Sequence, residues 1–84
     1  MKIVVAGIDY VGLSNAILLA QNNEVVALDL SEGKVRMLNA PQAPIIDAEA
    51  QDYLKNRPLN LRATTDERDA YEGAGVVIVA TPTD

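Results

Sequence analysis

The stretch Lys2-Ile3-Val4-Val5-Ala6-Gly7-Ile8-Asp9-Tyr10-Val11-Gly12 decides the fold. Lys2 to Ala6 is a short run rich in β-branched residues, and it does not alternate. A strand covered on both faces reads this way, as in a parallel sheet. Gly7 supplies the backbone freedom of a tight turn. Gly12 removes a side chain where a helix must pack closely on a strand. Leu13 to Gln21 follows with Leu13, Ala16, Ile17, Leu18, Leu19 and Ala20, apolar nearly all round. Such a helix is expected to be largely buried. Asn22-Asn23 stops it, and Glu24-Val25-Val26-Ala27-Leu28 is a second apolar run ending in Asp29. Strand, glycine turn, helix, strand and acid, in that order, form the dinucleotide-binding βαβ pattern, with the acid placed for a ribose hydroxyl.

Eighty-four residues make one domain at most, small enough for its stability to be marginal. A hydrophobic content of 49% argues for a folded globule. The net charge of −5 disfavours binding to a nucleic-acid backbone, which calls for clustered Lys and Arg. With no Cys and no His, this chain holds no disulfide, thiol nucleophile, Cys/His zinc site or histidine base, and no metal site is expected. No run approaches the length of a membrane span. Met1 leads straight into the first strand, so no signal peptide is expected and a cytoplasmic address is the default.

After Asp29, Ser31 suits the N-cap of a helix with Val35 and Leu38 on one side. Lys34 falls in its first turn, where a cation is mildly unfavourable. It is either a residue placed for a ligand or a solvated surface lysine. Asn39 to Ile46, with Pro41 and Pro44, reads as an extended loop. Asp47 caps a short helix through about Lys55, whose inner face is Ala50, Tyr53 and Leu54. Leu59 to Thr64 alternates apolar and polar, which places it at a sheet edge. Thr65 or Asp66 caps a helix through Tyr71, and Gly73 ends it. Gly75 to Ala80 is a last continuous apolar strand.

The expected fold is therefore α/β: a partial Rossmann, doubly wound parallel sheet of four strands in order 3-2-1-4, with helices on both faces. That order leaves Val76 to Ala80 on an open edge although its composition suits a buried strand. The chain, 1–84, is expected to be the first half of a larger nucleotide-binding domain.

The motifs Gly7-x-x-Tyr10-Val11-Gly12-Leu13-Ser14-Asn15-Ala16, Glu24 to Asp29, Lys34-Val35, Leu59 to Thr64 and Ala80-Thr81-Pro82-Thr83 extend along the chain. Together they resemble the amino-terminal part of the bacterial UDP-glucose 6-dehydrogenases. The resemblance implies NAD as cofactor and oxidation of UDP-glucose to UDP-glucuronate, in two hydride transfers through a cysteine thioester. It implies cofactor roles for Val11 at the phosphate turn, Asp29 and Lys34 at the adenosine ribose, and Thr83 after the fourth strand. The catalytic cysteine and the UDP-glucose site of that family belong to the full-length protein. No catalytic residue is therefore expected in this chain.

Physical reasoning supplies the rest. Asp29 can accept from both ribose hydroxyls and repels a 2′-phosphate, which favours NAD over NADP; an ordinary loop acid is the plainer alternative. Val11 acts through its backbone N–H, with its side chain expected in the core. Tyr10 either packs over the turn or covers the surface. Thr83 either contacts ligand or frays with the terminus.

One position departs from the pattern: Asp9 stands where the fingerprint has glycine. A carboxylate about 4 Å from a pyrophosphate charge is repelled by about 4 kcal/mol at an effective dielectric of 20. Screening reduces this to about 2–3 kcal/mol, so reduced NAD affinity is expected. Alternatively the turn shifts and NAD still binds, or Asp9 caps the first helix by accepting from the amide of Val11 or Gly12.

A competing function is a cofactor-free α/β unit that forms a homodimer through the edge strand Val76 to Ala80. A methyltransferase-like nucleotide site is a third, supported by the fold alone.

Overall fold

The computed structural model describes residues 1–43 and 47–80. Eight elements follow in the order β1 (Lys2–Ala6), α1 (Tyr10–Ala20), β2 (Glu24–Leu28), α2 (Glu32–Asn39), α3 (Ala48–Asn56), β3 (Leu61–Thr64), α4 (Glu67–Tyr71) and β4 (Val76–Val79). The four strands form one parallel sheet in the order β3-β2-β1-β4, as the alternation between strand and helix predicts. In register, Val4 lies between Val26 and Val77, and Ala6 between Leu28 and Val79.

The apolar runs of β1 and β2 are explained by their place at the centre. Val4, Val5, Val25 and Val26 are all fully buried. One face of the sheet packs under α1, α2 and α3, where Ile8, Leu13, Ile17, Ala27, Leu38, Ala50, Leu54 and Ala63 share a core cluster. Ile3, Val5, Ala16, Ala20 and Val25 continue it along α1. The opposite face is covered by α4 through Ala70, which meets Val4, Val26 and Leu28. That cover is short, and Val77 and Val79 remain exposed beyond it.

Local capping follows the sequence closely. Ser31 Oγ accepts from the amide of Lys34, and Asp47 from those of Glu49 and Ala50. Asp66, rather than Thr65, caps α4, accepting from Arg68 and Asp69. Gly73 ends that element with φ +74°, a conformation costly to residues with a Cβ. The C-terminal carbonyls of α4 meet a cation, because Lys2 Nζ donates to the carbonyls of Asp69 and Glu72 at 3.0 and 2.7 Å. Arg62 on β3 donates to both carboxylate oxygens of Asp69, at 2.7 and 3.1 Å. That bond holds the Asp69 carboxyl below its ordinary pKa and the Arg62 guanidinium above its own.

Three expectations need correction. The α1 helix is buried only along Gly12, Leu13, Ala16, Ile17 and Ala20, and Leu18 is 65% exposed. A helix apolar all round carries no stripe to say which side faces the sheet, so burial is set by the sheet alone. Val11 was expected in the core and is 61% exposed, since the first turn of α1 projects past the end of β1. Asn39 is the last residue of α2 rather than the start of a loop. Its side chain accepts from the amide of Ala63 at 2.8 Å and donates to the carbonyl of Ala63 at 2.9 Å. One amide group thereby takes the place of a neighbouring strand on the outer side of β3. The expected loop through Ile46 lies partly outside the described residues.

Candidate functional site

At the carboxyl end of the sheet, the chain leaves β1 through Gly7 with φ +108°. The amide of Gly7 donates to the Leu28 carbonyl at 2.7 Å, which keeps the turn attached to β2. Ile8 then inverts into the core and is fully buried. Asp9 is the N-cap residue of α1, in extended conformation. The first helical bond runs from Leu13 N–H to the Asp9 carbonyl at 2.8 Å. Among the described residues, no side chain caps α1. The amides of Tyr10, Val11 and Gly12 thus stand at the positive end of the helix, where an anion is favoured.

Gly12 is required by contact. A Cβ built there would overlap the Gly7 carbonyl oxygen, and would lie 3.0 Å from the Gly7 carbonyl carbon and 3.2 Å from Ala80 Cβ. Helix α1 therefore sits directly against the turn, which the fingerprint attributes to this glycine.

Asp29 fastens the same place from the other side. Its Oδ2 accepts from Ile8 N–H and its Oδ1 from Ser31 N–H, each at 2.8 Å. The strand-end acid thus ties the β1–α1 turn to the β2–α2 turn. Each oxygen keeps further acceptor capacity. Asp29 stands directly after β2, where the sequence puts it, and its partner Ile8 is not foreseen there. An isoleucine buried within a turn of otherwise small or polar residues was the available signal.

The Asp9 side chain makes no cap bond to α1, which sets aside the alternative that it accepts from Val11 or Gly12. Its Oδ1 instead accepts from Lys34 Nζ at 3.0 Å. An ammonium is a stronger partner for a carboxylate than a neutral amide. Lys34 reaches across from the first turn of α2, which accounts for a cation at a place where the helix dipole disfavours one. Both side chains of the pair are about a third exposed, at 39% and 34%.

Gly7, Asp9, Val11, Gly12, Asp29 and Lys34 are therefore gathered at one end of the sheet. Tyr10 turns away from the turn: 63% exposed, it lines a groove between α1 and α3 with Ser14, Leu18 and Tyr53. Thr83 lies outside the described residues. Among those described, no cluster of acidic side chains suited to a metal ion is found, and no helix is long and apolar enough to cross a membrane.

Comparison with known proteins matches this geometry. Residues 1–84 fit the model of the UDP-glucose/GDP-mannose dehydrogenase family, NAD binding domain. The chain is 44% identical over 86 residues to a UDP-glucose 6-dehydrogenase of Campylobacter jejuni, covering 100% of this chain and 22% of that protein. It is 45% identical over 83 residues to a UDP-glucose 6-dehydrogenase of Streptococcus pneumoniae, covering 99% of this chain and 21% of that one. A crystal structure of a ternary complex of GDP-mannose dehydrogenase from Pseudomonas aeruginosa superposes with a TM-score of 0.91 at 28% identity, covering 100% of this chain and 20% of the other. The chain thus spans about a fifth of the length of these relatives. The glycine turn against β1, the acid that closes β2 and the match along all 84 residues agree: this chain belongs to the UDP-glucose/GDP-mannose dehydrogenase family, in the part that its NAD-binding domain model describes.

Proposed function

We propose that these 84 residues are the first half of an NAD-binding Rossmann domain, in an enzyme that oxidises UDP-glucose to UDP-glucuronate. The observation that carries this is the uncapped amino end of α1 standing beside Asp29. The amides of Tyr10, Val11 and Gly12 would meet the pyrophosphate, with Gly7 giving the turn its shape. Asp29 would accept from the adenosine ribose with the capacity that Ile8 and Ser31 leave open, and Lys34 lies within the same reach. Bound NAD supplies a hydride acceptor; this chain contributes binding and orientation. UDP-glucose as substrate is supported by the names of the two bacterial relatives. The sequence holds no cysteine for the thioester chemistry of that family, so the chain alone is expected to be inactive. The same reading sets it in the cytoplasm, with the NAD pool.

Reduced affinity through Asp9 is part of the proposal, and smaller than the bare charge suggests. The Lys34 ammonium offsets the Asp9 carboxylate at 3.0 Å, so the remaining penalty is about 1–2 kcal/mol. Titration calorimetry with NAD tests it. Weak binding by this chain and about tenfold tighter binding by Asp9→Gly are expected. Tight binding by the native chain, unchanged by the substitution, would refute the repulsion.

A second reading is favoured by β4, where Val76, Val77 and Val79 are exposed along an edge with no partner among the described residues. This is a homodimer through that strand, indifferent to cofactor. The mass in solution with and without NAD distinguishes the two readings.

A further inference from the structure

We propose that the groove between α1 and α3 is a docking site for a basic amphipathic helix of a separate partner protein. The groove has a volume of about 240 Å³. Its floor is the buried pair Ile17 and Ala50, where the two helices meet. Tyr10, Ser14, Leu18 and Gln21 form its wall on α1. They recur every three or four residues, so they stand in one row along the helix. A single exposed leucine needs no explanation. Here the exposed Leu18 and the rings of Tyr10 and Tyr53 border one depression. A row at helical spacing beside such a depression offers apolar contact to a further helix laid along it.

The opposite wall sets the charge of the partner. Asp47 and Glu49 bring two carboxylates to it, and among the described residues no basic side chain lines the groove. Asp47 uses Oδ1 for the amides of Glu49 and Ala50, which leaves Oδ2 open to a cation. Tyr53 already carries a cation on its ring, with the Arg57 guanidinium 4.7 Å from the centroid. A Lys or Arg of the partner would meet the same chemistry at the Tyr10 ring. A second copy of this chain fits poorly, because a net charge of −5 sets an acidic surface against these carboxylates. The occupant is therefore a helix with leucine-like residues for the floor and Lys or Arg along its flank.

The probe is a capped peptide of about 18 residues, with leucines at helical spacing, lysines on the other face and no aromatic residue. Tyrosine fluorescence reads its binding to the full chain, which has no Trp and holds two of its three tyrosines in the groove. Saturable binding that weakens with added salt is expected. Leu18→Lys, at an exposed position, replaces apolar contact by a like charge and is expected to weaken binding about tenfold. Asp47→Asn combined with Glu49→Gln keeps a capping residue on α3, removes both charges and is expected to weaken binding about threefold. Circular dichroism checks that each variant folds. A peptide of the same composition in scrambled order, and one with Glu for every Lys, are each expected to bind about tenfold more weakly. No binding by the native chain, or equal binding of either control peptide, overturns the proposal. Binding indifferent to Leu18→Lys puts the contact elsewhere and overturns it as well, and indifference to the double variant overturns the basic character of the partner. A native dimer that Leu18→Lys makes monomeric gives the groove to a second copy and overturns the choice of occupant.

Discussion

Gly12→Ala is the substitution whose cost can be worked most directly from the structure. The added methyl would overlap the Gly7 carbonyl oxygen and press on the Gly7 carbonyl carbon and Ala80 Cβ. Two of those three atoms are backbone, and Gly7 is itself anchored by its 2.7 Å bond to Leu28. No rotamer change relieves the contact, so α1 must move away from the turn. Overpacking a well-filled core costs about 1–3 kcal/mol, and a rigid backbone neighbour puts this case at about 3 kcal/mol. Alanine is a better helix former than glycine by up to about 1 kcal/mol, which offsets part of the loss. A net loss of about 2 kcal/mol is large against the roughly 4–12 kcal/mol expected of a domain this size. It corresponds to a fall of about 8–16 °C in melting temperature. Urea unfolding followed by circular dichroism measures it, and an unchanged slope would show that the unfolded state is not the cause. Gly33→Ala is the control. A Cβ there meets only Ser31 Oγ at 3.8 Å, so no loss is expected and a gain of up to about 1 kcal/mol from helix propensity. Equal stabilities for Gly12→Ala and the native chain would refute the claim that helix and turn are in contact at this point.

Asn39→Ala removes both bonds to Ala63 and opens the outer side of β3. A loss of about 1–2 kcal/mol in urea and a rise in light scattering are expected, water replacing part of what is lost. Asp29→Asn leaves a single acceptor oxygen for the amides of Ile8 and Ser31. It is expected to cost about 1–2 kcal/mol without any cofactor present, and an unchanged midpoint would show that the carboxylate has no part in fastening the turns. Asp69 has a carboxyl pKa lowered first by its hydrogen bond from Arg62, below the usual 3.8. A lowered carboxylate stabilises the fold above its unfolded pKa, and the gain disappears as pH falls through the folded value. Thermal melts of the native chain and Arg62→Gln should therefore differ slightly at about pH 6 and converge at about pH 2. A gap that persists in acid would assign the effect to packing.

The sheet order was legible because composition differs by place. Unbroken apolar runs mark β1 and β2 at the centre, and the alternation of Leu59 to Thr64 marks an edge. The caps Ser31, Asp47 and Asp66 were legible because each acts within three residues of itself. What depends on separation in sequence was not. The bond from Lys34 to Asp9 spans 25 residues, and that from Asn39 to Ala63 spans 24. No local pattern encodes such a meeting. The oddness of Lys34 in a first turn is visible in the sequence but its partner is not, and capping by the Asp9 side chain, one of the alternatives the sequence leaves open, is set aside only in three dimensions. Val11 and Leu18 were misjudged for a related reason: hydrophobicity states what prefers to be buried, and the sheet has room for only one side of α1.

The amide clasp of Asn39 on β3 has a consequence for how copies of this sheet can meet. With the amide and carbonyl of Ala63 already bonded, a head-to-tail stack in which β4 of one molecule joins β3 of the next meets an edge that is partly taken. Contact of β4 with β4 remains, and a two-fold axis between them makes the strands antiparallel and uses up both open edges. Under the dimer reading proposed above, growth would end at a pair, and one side-chain amide would disfavour fibres.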